Sequence, residues 1–178
     1  MRILIFSLLI ISFVYAAPAQ DECREELARA KECGTKIPDN VWKIVSKEEF
    51  ERNNEHFKTF YTCLGDLQCD ITKSIKRMEA AKWDIVQKMT EIHACAGNNA
   101  YDNIKTRCSM ANKHTDCKDP EFYSCIITGL EKNSNCTAND IEKYRGLINP
   151  IQQACQMKRD HKKEFKNYGG EEIEFIND

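Results

Sequence analysis

The sequence predicts an all-α protein, a disulfide-cross-linked bundle of about five to seven helices, on three observations. Apolar residues repeat at helical spacing along the chain, and no segment alternates with period two long enough to make a strand. Ten cysteines lie downstream of residues 1–16, an even number that lets every one find a partner. Large apolar side chains are scarce: beyond residue 16, Ile, Leu, Val and Phe make up 28 of 162 residues, about 17%. A fraction under a fifth is typical of disordered chains. Disulfides, each worth roughly 2–4 kcal/mol through restriction of the unfolded chain, offer another route to a stable fold.

Met1–Ala16 reads as a secretory signal. Arg2 gives the positive start, Ile3–Val14 is apolar apart from Ser7 and Ser12, and Val14-Tyr15-Ala16 is a small-residue cleavage site. The apolar run is shorter than the roughly 20 residues of a spanning helix. Cleavage after Ala16 avoids Pro18 just behind the cut; cleavage after Ala19 also fits. The single disulfide-rich domain is expected over 20–165, followed by an acidic tail over 166–178.

The first helix is expected over Asp21–Cys33, capped by Asp21 and ended by Gly34 in a left-handed conformation. Thr35–Asn40, with Pro38, is a loop. Ser46-Lys47-Glu48-Glu49 is a capping box opening a helix with Phe50, Phe57, Tyr61 and Leu64 on one side, ended by Gly65. Asp70 is expected to cap the next helix. Its Ile71, Ile75, Met78, Ile85, Met89 and Ile92 follow three- and four-residue steps, with Ala81 partly filling the gap at Lys82, and Gly97 closes it. Tyr101, Ile104, Cys108 and Ala111 suggest a shorter helix. Asp119-Pro120 then sets an N-cap and a proline at the first position of a helix carrying Phe122, Cys125, Ile126 and Leu130. Thr137 with Asp140 makes a further capping box before Ile141, Tyr144 and Ile148. Asn149-Pro150 either kinks that helix or starts a new one through Ile151, Ala154 and Cys155. Residues after about Phe165, including acidic Glu171–Asp178, read as a loosely held tail.

Helix geometry restricts the disulfides. Cys23 and Cys33 share a helix about 15 Å apart, and Cys69 and Cys95 bracket the third helix about 39 Å apart if it is unbroken. A disulfide needs α-carbons within about 7 Å, so neither pair can close. Cysteines at both ends of a helix therefore staple it to different neighbours. Beyond those two exclusions the partners of all ten, Cys23, Cys33, Cys63, Cys69, Cys95, Cys108, Cys117, Cys125, Cys136 and Cys155, stay open; Cys63/Cys69 and Cys117/Cys125 could close locally but need not.

Beyond residue 16 the balance is 25 basic against 28 acidic residues. That disfavours nucleic acid or an anionic membrane surface, both of which need a basic patch. No C-x-x-C knuckle is present, so no metal is expected, and no motif calls for a cofactor. Asn135-Cys136-Thr137 is a glycosylation acceptor at Asn135. His114-Thr115-Asp116-Cys117 resembles, superficially, the histidine–aspartate dyad of secreted phospholipases A2. Thr115 separates the pair, residues two apart on a helix do not meet, and no glycine-rich loop precedes them. His56, His93 and His161 lie in separate segments without a catalytic pattern. The expected catalytic set is none.

Three stretches are similar to one family. Phe57-Lys-Thr-Phe-Tyr-Thr-Cys63 through Cys69, Phe122-Tyr-Ser-Cys125 through Cys136, and Cys155-Gln-Met-Lys-Arg resemble the nematode secreted cysteine-rich domains known as domain of unknown function nineteen. The resemblance implies a secreted helical domain and no mechanism; the family often has a further cysteine near the end, absent after Cys155 here.

The expected function is a secreted, non-catalytic interaction module whose disulfide-pinned helices meet another extracellular protein. The alternative is a carrier of a small hydrophobic ligand lined by Phe50, Phe57, Phe60, Tyr61, Met78, Trp83 and Met89. A lipid hydrolase using His114 and Asp116 comes last.

Overall fold

A computed structural model describes residues 20–38, 43–112 and 116–167. Among them all regular structure is helical, as the sequence predicts. The long elements are α1 (Gln20–Gly34), α2 (Lys47–Leu64), α3 (Asp70–Met89), α5 (Ala100–Asn112), α6 (Pro120–Glu131) and α7 (Ala138–Asn167). A 3₁₀ turn at Thr90–Ile92 leads into the single-turn α4 (His93–Ala96). Residues 1–16, His114 and the Glu171–Asp178 tail lie outside the described residues.

Several helix ends follow from local chemistry. The Ser46 hydroxyl accepts from the Glu49 amide at 3.3 Å and starts α2. Gly65 ends it at φ 60°, where a side chain would be strained. Asp119 accepts from the Glu121 and Phe122 amides at 2.9 and 3.3 Å, with Pro120 opening α6. Thr137 and Asp140 form a reciprocal box: the Thr137 amide donates to Asp140 at 2.8 Å, and the Asp140 amide to the Thr137 hydroxyl at 3.3 Å.

Three ends differ from the sequence reading. Gly34 stays inside α1, which runs on into a turn at Thr35 and Lys36. Asp70 is the first residue of α3, not its cap; Cys69 holds that position without a side-chain cap bond, because its sulfur is bonded elsewhere. The helix expected to reach Gly97 breaks after Met89. There the Thr90 hydroxyl donates to the Gln87 carbonyl at 2.7 Å, competing for the helix ladder. The redirected chain buries Ile92, Cys95 and Ala96. Of the two readings at Pro150, the new helix is not seen: α7 runs through the proline as one element of 30 residues and continues past Phe165 to Asn167.

The two longest helices, α3 and α7, lie antiparallel and make the most extensive helix pair. Ile71 and Phe165 share one buried cluster, Ser74 Oγ lies 2.7 Å from His161 Nδ1, and Glu91 pairs with Lys143 at 3.1 Å. On one side of this spine α1, α2 and α3 enclose an aromatic core, where Trp83 stacks on Phe50 and Phe57 at centroid distances of 4.5 and 4.3 Å. On the other side α4, α5, α6 and α7 close over Ile104, Ile126, Leu130 and Tyr144. The α5–α6 approach depends on Gly129, where a Cβ would stand 2.5 Å from Ile104. One turn along each helix, Cys108–Cys125 fixes the same contact.

All ten cysteines pair, as Cys23–Cys69, Cys33–Cys63, Cys95–Cys136, Cys108–Cys125 and Cys117–Cys155. Neither geometrically excluded pair forms, and neither local bridge does. The pairs divide cleanly. The first four cysteines tie α1 to α2 and to the start of α3; the last six tie α4, α5, α6 and α7 together. No sulfur bond joins the two sets. The halves are held together by the α3 backbone and by packing along the α3–α7 seam.

Candidate functional site

A groove of about 680 Å³ opens on that seam, between α3, α5, α6 and α7. Its α3 wall is the face that carries Met78, Ile85, Val86 and Met89. Phe122 and Tyr123 of α6 and Ala154 of α7 are buried beneath it, and Ile44, Tyr101 and Ile151 form half-buried sides. The Cys117–Cys155 bridge fastens one wall, since Cys155 lines the groove. The volume falls within the roughly 300–1,000 Å³ of small-molecule sites, and the lining is apolar with a few polar groups, as such sites usually are.

The phenols here already have partners. Tyr123 donates to the Cys117 carbonyl at 3.0 Å, and Tyr101 and Tyr144 meet oxygen to oxygen at 3.4 Å. Burial pushes the Tyr123 hydroxyl up to about 12, and burial likewise raises Tyr101 and Tyr144. All three are neutral at physiological pH and behave as packing groups with a tethered polar tip.

Charged side chains border the groove: Lys82 from α3, Asp102 and Lys105 from α5, and Lys158 from α7. Lys82 Nζ lies 3.4 Å from both carboxylate oxygens of Glu79, one turn back on α3. Glu79 is only 3% exposed. Burial raises its pKa, with the Lys82 and Lys158 charges partly opposing the rise. A carboxyl whose folded pKa stands above its unfolded value near 4.5 contributes fully below that value, and the contribution is lost as pH rises. At neutral pH Glu79 is therefore a cost. Glu79→Gln is expected to raise stability at pH 7 by roughly 1 kcal/mol, and the gain should vanish in urea melts below pH 4.5.

A second buried carboxylate works the other way. Glu26 of α1 accepts from the amides of Gln68 and Cys69 at 2.9 and 3.1 Å and from the Thr72 hydroxyl. It supplies, from another helix, the cap that disulfide-bonded Cys69 does not give α3. Burial opposes its ionisation, but the bonds from Thr72, Gln68 and Cys69, with the Arg29 charge, outweigh burial and hold it below the usual carboxylate range. Sequence reasoning missed Glu26. The signal was its spacing, three residues after Cys23, which puts both on one face of α1.

The expected ligand lining divides in two. Phe50, Phe57, Phe60 and Trp83 are buried in the α1–α2–α3 core, with Tyr61 packed against them. Met78 and Met89 do line the groove, together with α5, α6 and α7 residues that the sequence reading had not singled out. The structure describes Asp116 but not His114; Asp116 lies 3.8 Å from Arg159 and caps the Lys118 amide at 3.1 Å. His161 is buried on the seam, where desolvation lowers its pKa. Asn135 is exposed on the α6–α7 connection, next to the Cys95–Cys136 bridge. Among the described residues no cluster of three or more His, Cys, Asp or Glu side chains could hold a metal ion. Comparison with known proteins gives no match to a family model, a curated protein or a solved structure.

Proposed function

We propose that the chain is an extracellular, non-catalytic binding protein that carries a small hydrophobic ligand in the groove between α3, α5, α6 and α7. The observation that carries this reading is the groove itself, an apolar space of about 680 Å³ walled by four helices. Five disulfides support an oxidising, extracellular setting. No helix among the described residues is long and apolar enough to cross a membrane. The signal-like residues 1–16, the exposed Asn135 acceptor and the resemblance to secreted nematode domains belong to the same reading.

The groove favours a carrier over the protein-binding surface that the sequence put first. Protein interfaces centre on buried aromatic or aliphatic anchors. The large hydrophobic side chains exposed among the described residues are only Met110 and Met157. The experiment is uptake of a neutral single-chain lipid, hexadecanol, by the disulfide-intact protein, with lipid extracted from the secreted protein identified by mass spectrometry. Saturable uptake at one site, lost at least tenfold in Ile151→Glu with unchanged circular dichroism, is expected. Clean extracts together with no saturable uptake would remove the reading.

A further inference from the structure

A buried histidine closes one end of the α3–α7 seam. His161 of α7 is only 7% exposed, and its Nδ1 lies 2.7 Å from Ser74 Oγ of α3. Ser74 also donates to the Ile71 carbonyl at 2.8 Å. A hydroxyl has a single proton, so with that proton on Ile71 the Ser74 oxygen accepts from His161 Nδ1. Nε2 is then the basic nitrogen. Acid adds a proton there and places a full charge in a buried site, with the Phe165 ring 6.0 Å away.

No carboxylate among the described residues pairs with that imidazole; Ser74 is its one polar partner there. On α7, Lys158 and Glu164 stand three residues either side of His161, Lys158 half-buried and Glu164 exposed. On α3, Asp70 and Arg77 flank Ser74 in solvent, and buried Glu79 is held by Lys82 at 3.4 Å. On α1, which joins the Phe165 cluster through Cys23 and Leu27, Arg24 is exposed and Glu26 is taken up by the Gln68 and Cys69 amides. Burial accordingly lowers the His161 pKa, and no neighbouring charge offsets it.

Two features turn that cost into a local motion. Beyond Cys155 no sulfur fastens α7, and no disulfide joins the two cysteine sets, so the end of α7 can leave α3 while each half stays closed. On both helices the contact also sits one turn from the groove. Met78 is four residues after Ser74, and Lys158 is three before His161.

We propose that the α3–α7 seam is an acid-operated joint, in which protonation of His161 parts the end of α7 from α3 and opens the groove. The inference stands on the seam and not on the carrier reading. An imidazole held below its unfolded value near 6.5 supports the fold fully above that value, and the support is lost as pH falls through the folded pKa. Glu79 runs the other way, gaining on acidification, so the test compares two proteins that share it.

Hydrogen exchange of the disulfide-intact protein, corrected for the intrinsic pH dependence of exchange, measures the opening at about pH 7.5 and about pH 5.5. The comparison is with His161→Gln, which keeps a polar group beside Ser74 and does not titrate. Opening of the amides over 156–165 and 71–78, taken as the ratio of wild type to variant, should rise roughly threefold or more on acidification. Amides of α6 over 122–130 should stay equally protected in both proteins. An unchanged ratio, or a rise that α6 shares, would overturn the joint. If Gln itself loosens the seam at neutral pH, His161→Leu makes the same comparison, and the same two outcomes decide it.

Discussion

Reduction of the five disulfides is expected to unfold the protein in water at room temperature, with loss of its helical circular dichroism. Loops of 46, 30, 41, 17 and 38 residues are closed by the five bonds. Chain-entropy reasoning gives about 3–4 kcal/mol for a loop of such length. The loops overlap, so the contributions do not simply add. Even so, their joint effect exceeds the roughly 5–15 kcal/mol that keeps an ordinary domain folded. The apolar content of the chain cannot make up the difference. A single pair gives a graded version: replacing Cys33 and Cys63 together by alanine should cost about 3–4 kcal/mol in urea melts. A reduced protein that keeps its helicity would show that packing alone suffices.

The second large effect is at Glu26. Glu26→Ala removes the acceptor for the Gln68 and Cys69 amides and the Thr72 hydroxyl at the start of α3. Cys69 and Thr72 are buried, so water cannot readily take the place of the carboxylate. The loss should be roughly 2–4 kcal/mol, the range for orphaning buried donors that serve a charged acceptor. Its pH dependence is opposite to that of Glu79. A carboxyl held below its unfolded value contributes fully above that value and loses the contribution as pH falls through the folded pKa. The gap between wild type and Glu26→Gln should therefore be widest near neutrality and narrow progressively below pH 4.5. A gap that widens on acidification would contradict the bonding assigned to Glu26.

Much of the fold was legible because helices write their boundaries locally. The Ser46, Asp119 and Thr137/Asp140 caps and the Gly65 stop each depend on residues within one turn, and each is where the pattern puts it. What failed was decided by distant partners. Asp70 looks like a cap, yet the α3 start is capped by a residue 42 positions from Gln68 in sequence. Pro150 left two readings open, and α7, packed against both α3 and α6, continues through it as one helix. Periodicity does not tell a core stripe from a groove stripe, since both repeat every three or four residues. Phe57 and Met78 thus looked equivalent, although one stacks on Trp83 and the other lines the groove. The lysine at position 82, which reads as a gap in the best apolar stripe of the chain, was the trace of the site. Lys105 and Lys158 could be joined to it only after the helices were docked.

Both the fold and the groove depend on the cysteines closing in two separate sets, leaving α3 and α7 to meet without a sulfur bond between the sets. Proteolysis of the unreduced protein followed by mass spectrometry tests this directly. Linked peptides should pair Cys23 with Cys69, Cys33 with Cys63, Cys95 with Cys136, Cys108 with Cys125 and Cys117 with Cys155, with no free thiol. A peptide joining any of the first four cysteines to any of the last six would contradict the arrangement, and with it the register of α3 on α7 that forms the groove.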